Sequence, residues 1–135
     1  MKFLIDTNVL SELFRPRPNH GVLSWAEEVD EVALSAISVE EIFYGLTWRP
    51  KPRLEARIAE VINDFCEVLA VTEMVALVGA RLRGEHQRHG RTFEAADMLI
   101  AATAQTHRLT LVTRNVKDFE GCGIPILNPF RKQPD

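Results

Sequence analysis

Three acidic residues lie beside or within apolar segments of the sequence. Asp6 follows the run KFLI, Glu41 lies four residues beyond the run VALSAI, and Asp97 lies within FEAADMLIAATA. An aspartate is almost never buried without a partner, so Asp97 either lines a cleft or binds something positive. Carboxylates that converge repel one another unless a cation lies between them. The sequence therefore predicts an acidic site that holds a cation.

Two further oxygen-bearing side chains follow the apolar run LTLVT. Asn115 and Asp118 lie in RNVKDF, directly after this run, and either side chain would suit a hard cation. Oxygen ligands without cysteine or a clear histidine set select Mg²⁺ or Mn²⁺ over Zn²⁺, and the four histidines show no HExxH spacing. The leading use of Mg²⁺ held by carboxylates is hydrolysis of a phosphodiester bond.

Each of these acids also has a purely structural interpretation. Asp6 is placed to cap a helix, and Ser38-Val-Glu-Glu41 matches a capping box, in which Glu41 bonds back to the backbone of Ser38. Glu94 is typical of a first-turn acid favoured by the helix dipole. Asp118 is equally well explained as a turn or cap residue. Taken singly, Glu41 and Glu94 are better explained by these structural roles than by a site.

Short apolar runs alternate with longer stretches of helical spacing, and these elements must position the acids. The predicted strands are KFLI, VALSAI, EVLAV, LTLVT and a short GIPIL. The predicted helices follow Asp6, cover 22–29, begin at SVEEIFYGL, and cover 54–65, 73–87 and 94–107. This alternation predicts an α/β fold in three layers, α/β/α, with a central, mostly parallel sheet of four to five strands. Ligands bind such sheets at the carboxyl ends of the strands, where the acids fall.

Length and composition are those of an ordinary folded protein. A chain of 135 residues fits a single domain, 1–135, and 46% hydrophobic with 26% charged residues shows no disordered or fibrous bias. No stretch approaches the roughly 18 apolar residues of a membrane span or resembles a signal-peptide core, so we expect a cytoplasmic protein with no membrane partner. Cys66 and Cys122 form no CxxC pair and no disulfide framework.

The net charge of −3 gives no global basic footprint for nucleic acid. Basic residues do cluster locally, and each cluster taken alone is best explained as a solvated helix face. These clusters fall within 15–17, 49–57 and 81–91.

Four segments, taken in order, resemble a known family. LIDTNVLSEL, SAISVEEIFYGL, AADMLIAATA and LVTRNVKDF are similar to the motifs of the PIN domain, and in particular of the VapC-type toxin ribonucleases of bacterial type II toxin–antitoxin systems. The similarity runs from about Met1 to Pro129. It implies a Mg²⁺-dependent endoribonuclease that cleaves RNA phosphodiester bonds, forms a homodimer and is held inactive by a cognate antitoxin.

The resemblance also implies roles for individual residues. Asp6 and Asp97 match the principal metal ligands, and Glu41 matches a second acid that helps hold the metal or accepts the proton of the attacking water. The fourth site residue falls in RNVKDF, where Asn115 and Asp118 both remain open. Two polar positions beside the site are matched by Thr7 and Thr113.

The alternative function is non-enzymatic. A PIN-like binding protein with a weakened site would act through complexes with an antitoxin or DNA. The intact Asp6, Glu41 and Asp97 argue against such decay, whereas a neutral Asn115 at the fourth position would leave one charge fewer and favour it. A phosphatase of the haloacid dehalogenase type fits less well, because it needs a second acid where this chain has Asn8.

Overall fold

Five strands form the centre of the molecule in the computed structural model, which describes residues 1–132. The strands are β1 (Phe3–Ile5), β2 (Val32–Ser35), β3 (Cys66–Leu69), β4 (Thr110–Val112) and β5 (Ile126–Leu127). The helices are α1 (Thr7–Leu13), α2 (His20–Glu27), α3 (Ala36–Trp48), α4 (Pro52–Phe65), α5 (Glu73–Arg88) and α6 (Ala95–His107), with a short 3₁₀ helix at Val116–Phe119. The strand order is β3-β2-β1-β4-β5 and every pair is parallel. The predicted α/β sheet is confirmed.

Alternating strand residues divide the core into two halves. Leu4 pairs in register with Leu111, and both side chains pack on the side covered by α5 and α6. Ile5 pairs with Val112 and Leu34, which face the side covered by α1 to α4. Successive side chains of a strand point to opposite faces, so a strand buried on both sides must be apolar throughout. The KFLI and LTLVT runs have this composition, and the predicted three layers are confirmed.

The junction between β2 and α3 differs from the prediction. The VALSAI strand ends at Ser35, whose Oγ accepts a hydrogen bond of 3.0 Å from the backbone N–H of Ile37 and so caps α3. The predicted capping box of Ser38 and Glu41 is wrong, because both residues lie inside the helix, Glu41 in its second turn. The apolar run continues across the end of β2 into α3, so the hydrophobic pattern could not locate the boundary between the strand and the helix. The Glu41 side chain is therefore available for another role.

Three helix starts also lie close to, but not at, the predicted positions. Helix α2 begins at His20 because the Asn19 side chain accepts hydrogen bonds from the first-turn backbone. Helix α4 begins at Pro52, where the missing N–H of proline costs nothing. Glu94 is the residue before α6 and makes no side-chain capping bond, so the prediction that it lies in the first turn is wrong by one position.

The two central strands create a crevice at one edge of the sheet. β1 lies between β2 and β4 in the sheet. The chain that leaves β1 packs on one face of the sheet, whereas α6, which leads into β4, packs on the opposite face. Such a reversal opens a crevice outside the carboxyl ends of the two strands. The residues at those two ends are Asp6 and Thr113. No helix within residues 1–132 is long and apolar enough to cross a membrane.

Candidate active site

Asp6 is buried at the end of β1, with only 5% of its surface exposed. Its Oδ1 accepts a hydrogen bond of 2.8 Å from the backbone N–H of Thr7, which is the predicted cap. Its Oδ2 accepts bonds of 2.8 Å from Oγ1 of Thr113 and 3.2 Å from Nδ2 of Asn8. Two carboxylate oxygens offer about four lone-pair positions. Three are used, so Asp6 has one position left for a further partner.

The bonds around Asp6 also tie the end of β1 to the end of β4. Asn8 Oδ1 accepts a hydrogen bond of 3.2 Å from the backbone N–H of Arg114, and Thr113 Oγ1 accepts one of 3.0 Å from that of Asn115. Burial raises the pKa of Asp6 above its ordinary value of 3.8, and the donors of Thr113, Thr7 and Asn8 oppose the rise. These donors offset part of the penalty that burial places on the ionised carboxylate.

Glu41 reaches the same edge through Thr7. The Oγ1 of Thr7 lies 2.8 Å from Oγ of Ser38 and 2.9 Å from Oε1 of Glu41. A threonine hydroxyl has one proton and an ionised carboxylate only accepts, so Thr7 donates to Glu41 and accepts from Ser38. Ser38 is fully buried and fixed inside α3, so this chain of bonds holds the exposed Glu41 carboxylate beside the residue that follows Asp6.

Asp97 lies in the first turn of α6, at the mouth of the crevice, and is partly buried. Its pKa rises from 3.8 to about 6, first because burial disfavours the charge and then because four carboxylates surround it. These are, in decreasing order of effect, Asp6, Asp118, Glu94 and Glu41. Asp6, Glu41 and Asp97, which lie far apart in the sequence, are therefore close enough in the fold to act on one another.

The two open candidates of the RNVKDF segment lie in different environments. Asn115 precedes the 3₁₀ helix and donates its backbone N–H to Thr113. Asp118 lies within that helix, and its charge raises the pKa of both Asp6 and Asp97. Asp118 therefore lies near enough to Asp6 and Asp97 for its charge to act on both, and Asn115 contacts Thr113 through its backbone.

No protein cation compensates this group of acids within residues 1–132. The single ion pair found there joins Arg15 and Glu12, with 3.4 Å between Nη1 and Oε1. Across the same residues, no three His, Cys, Asp or Glu side chains are grouped so that they could hold a metal ion together. Mg²⁺ commonly takes only one or two protein carboxylates and completes its shell with water and substrate phosphate. One or two of these carboxylates would be enough for Mg²⁺ held in that mode.

Sequence reasoning missed two contributors to the site. Asn8 bridges Asp6 and the β4 end, and Ser38 anchors the hydroxyl that holds Glu41. For Asn8, its position two residues after the strand-end aspartate was the available signal. For Ser38, the sequence offered a competing explanation as a helix cap, and nothing in the local pattern excluded it.

The protein belongs to the class of three-layer α/β/α folds with a parallel sheet, and its acidic crevice lies where the connections between the strands change direction. The PIN domain model matches residues 3–120, and the chain belongs to that family. It is 37% identical to Toxin FitB of Neisseria gonorrhoeae over 94% of this chain and 97% of the relative. It is 33% identical to VapC ribonuclease Y4jK of Sinorhizobium fredii over 94% and 96%. A toxin-antitoxin complex from Klebsiella pneumoniae contains a chain of the same fold, with 29% identity, TM-score 0.78 and coverage of 97% and 100%. The similarity of the four segments to PIN-domain motifs predicted this family, and the prediction is confirmed.

Proposed function

We propose that this protein is a Mg²⁺-dependent endoribonuclease that hydrolyses RNA phosphodiester bonds and acts as the toxin of a toxin–antitoxin pair. The observation that carries the proposal is the group of acids around Asp97, whose pKa rises to about 6 because of burial and of the neighbouring carboxylates, with no ion pair to these acids within residues 1–132. A repulsive cluster of this kind suits a divalent cation. The names of the relatives, a toxin and a VapC ribonuclease, support the same activity.

The residues divide the work as follows. Asp6 and Asp97 hold Mg²⁺ or Mn²⁺, with Asp118 as a further acid beside them. When bound, the ion supplies Lewis-acid stabilisation of the charge that develops on the phosphoryl oxygens. Glu41, held by Thr7, is placed to accept a proton as water attacks the phosphorus and the bond to the leaving oxygen breaks. Glu41 is exposed, so a substrate and a water molecule can reach it.

The proposed partners are RNA, a cognate antitoxin and a second copy of the chain. A segment running from β3 into α5 exposes large apolar side chains, which supports a protein partner at this surface. They are Val68, Val71, Met74 and Leu77. Two larger aromatic side chains, Tyr44 and Trp48, are also exposed on α3, 66% and 69% respectively. The homodimer and the cytoplasmic location remain predictions.

The deciding experiment is cleavage of total RNA and purified tRNA by the protein freed of any co-purifying partner. We expect discrete products with Mg²⁺, none with EDTA, and none from Asp6→Asn, which keeps the shape of the side chain. Asp30→Asn, an exposed aspartate outside the site, is the matched control and should cut like the wild type. Equal cleavage by Asp6→Asn and wild type would refute the proposed site.

The binding-protein alternative keeps one observation in its favour, which is that no three metal-binding side chains are grouped within residues 1–132. Under that alternative, Mg²⁺ would neither raise the melting temperature nor restore cleavage. Under the proposed function it does both, since an ion that binds only the folded state stabilises it.

A further inference from the structure

A second cavity, of about 410 Å³, opens beside the acidic crevice and is lined mainly by basic and polar side chains. It lies between the end of α1, the start of α2 and the turn that follows β4. Its lining residues are Glu12, Arg15, Arg17, Pro18, Asn19, His20, Arg114 and Phe130. The proposed reaction uses none of them, so the cavity needs its own explanation.

The walls of this basic cavity are fixed by hydrogen bonds. Asn19 is buried, and its Oδ1 accepts bonds of 2.9 Å from the N–H of Gly21 and 3.0 Å from that of Arg131. Its Nδ2 donates to the carbonyl oxygen of Arg131 at 2.8 Å. The guanidinium of Arg114 lies 5.0 Å from the centre of the Phe130 ring, within cation–π range. The cavity is therefore built by long-range contacts and is preorganised.

The charge inside the basic cavity is positive. Its one carboxylate, Glu12, is already occupied, because Oε2 accepts a hydrogen bond of 2.9 Å from the N–H of Asn19 and Oε1 pairs with Arg15. The guanidinium groups of Arg17 and Arg114 remain for a ligand, and His20 adds a ring nitrogen. Guanidinium groups present planar donors that match phosphate, so the chemistry selects a phosphate group.

The position of the basic cavity relates it to the acids. Arg114 directly follows Thr113, and its backbone N–H bonds to Asn8, the residue that also contacts Asp6. Asn8 and Glu12 lie on one face of α1, separated by one helical turn, or about 6 Å of rise. The basic cavity therefore adjoins the acids through Asn8, at the same end of the molecule.

We propose that the basic cavity binds a backbone phosphate of the single-stranded RNA substrate beside the bond that is cut. The proposal rests on the proposed function for the position of the cut, and it adds the direction of the strand, which leaves the acids toward α2 and the turn after β4. Acids that repel the RNA backbone need a nearby site that attracts it, and the cavity supplies one.

The test measures binding of a short, fluorescently labelled single-stranded RNA in EDTA by anisotropy at several salt concentrations. The variant is the double change Arg17→Gln and Arg114→Gln, and the control is Arg81→Gln with Arg83→Gln, which removes equal charge from exposed positions of α5 across the sheet. We expect the cavity variant to bind at least about tenfold more weakly. Its slope of log affinity against log salt should fall by about 0.7, since the variant loses one phosphate contact of a single strand.

Several outcomes separate the proposal from its rivals. Replacing the same two residues by lysine keeps the charge and should keep most of the slope, and the melting temperature of each variant reports its folding. A cavity variant that behaves like the α5 control in affinity and slope overturns the proposal. So does a cavity that binds poly-glutamate but leaves RNA binding unchanged, because the ligand would then be an acidic protein. Cavity-dependent RNA binding by a protein that cuts nothing with Mg²⁺ would support the phosphate site and refute only the nuclease.

Discussion

Replacing Asp97 by asparagine should stabilise the metal-free protein while it abolishes cleavage. The rise of the Asp97 pKa from 3.8 to about 6 corresponds to about 3 kcal/mol against the ionised folded state, as an upper bound. Asp97 is partly exposed, so water and salt screen this repulsion to roughly 1.5 kcal/mol. An acid in the first turn of a helix gains about 0.5 kcal/mol from the helix dipole, which asparagine loses. The net gain is about 1 kcal/mol, or about 4 °C in melting temperature.

The pH dependence gives this prediction its sign. A carboxyl whose pKa is raised by folding destabilises the folded state above that pKa, and protonation removes the effect as the pH falls. The wild type should therefore gain stability relative to Asp97→Asn between about pH 6 and pH 4. The difference in melting temperature should be largest near pH 8 and vanish near pH 4. Adding Mg²⁺ at pH 8 should raise the melting temperature of the wild type and leave that of the variant unchanged.

The assay is thermal unfolding followed by circular dichroism in EDTA across this pH range. Glu73→Gln is the matched control, because Glu73 is an exposed first-turn acid of α5 outside the cluster. The Glu73→Gln variant should be slightly less stable than the wild type at every pH above 5, because it loses the favourable interaction with the helix dipole and relieves no repulsion. An Asp97→Asn protein that is less stable than the wild type at pH 8 in EDTA would refute the argument that the acids repel one another.

Further changes test how the site and the fold around it are supported. Thr7→Val removes the hydroxyl that holds Glu41 and should lower kcat roughly tenfold with little change in KM, whereas Thr7→Ser should restore it. Thr113→Val removes a donor that lowers the pKa of the aspartate ending β1, so the acidic limb of the rate–pH profile should move to higher pH; a profile that stays in place would contradict this. Gly21→Ala should destabilise by about 1–3 kcal/mol in denaturant unfolding, because a Cβ there would overlap the carbonyl oxygen of Pro129. Gly84→Ala, with open space around it, should instead stabilise by about 0.5–1 kcal/mol.

The parts of the site that could be predicted from the sequence depend on local patterns. Asp6 ends an apolar run, and Asp97 lies in a helix that is apolar nearly all round, so each stands out against its neighbours. The helix around Asp97 is indeed buried over Met98 and most of its following residues. Both positions follow from the physical rule that a charge in apolar surroundings needs a reason. The parallel sheet was predicted by a different pattern, the alternation of short apolar runs with stretches of helical spacing.

Other parts of the site depend on contacts that no local pattern contains. Glu41 matched a capping box, and only the early end of β2 at Ser35 shows that this box does not form. Spacing could not separate Asn115 from Asp118, because both residues follow the same strand and lie only three positions apart. The basic cavity brings residues near position 15 together with Phe130. The basic runs of the sequence could not predict this contact, because the two segments are far apart along the chain.

The hydrogen bond between Thr113 and Asp6 joins residues that are 107 positions apart. Contacts at such separation close late in folding, because the loop entropy must be overcome first. A chain still on the ribosome that has not reached β4 has β2 as the only possible neighbour of β1, and its strand-end aspartate lacks the Thr113 donor. The pairing of β1 with β4, and with it the Thr113 donor to Asp6, is therefore available only once synthesis has passed β4.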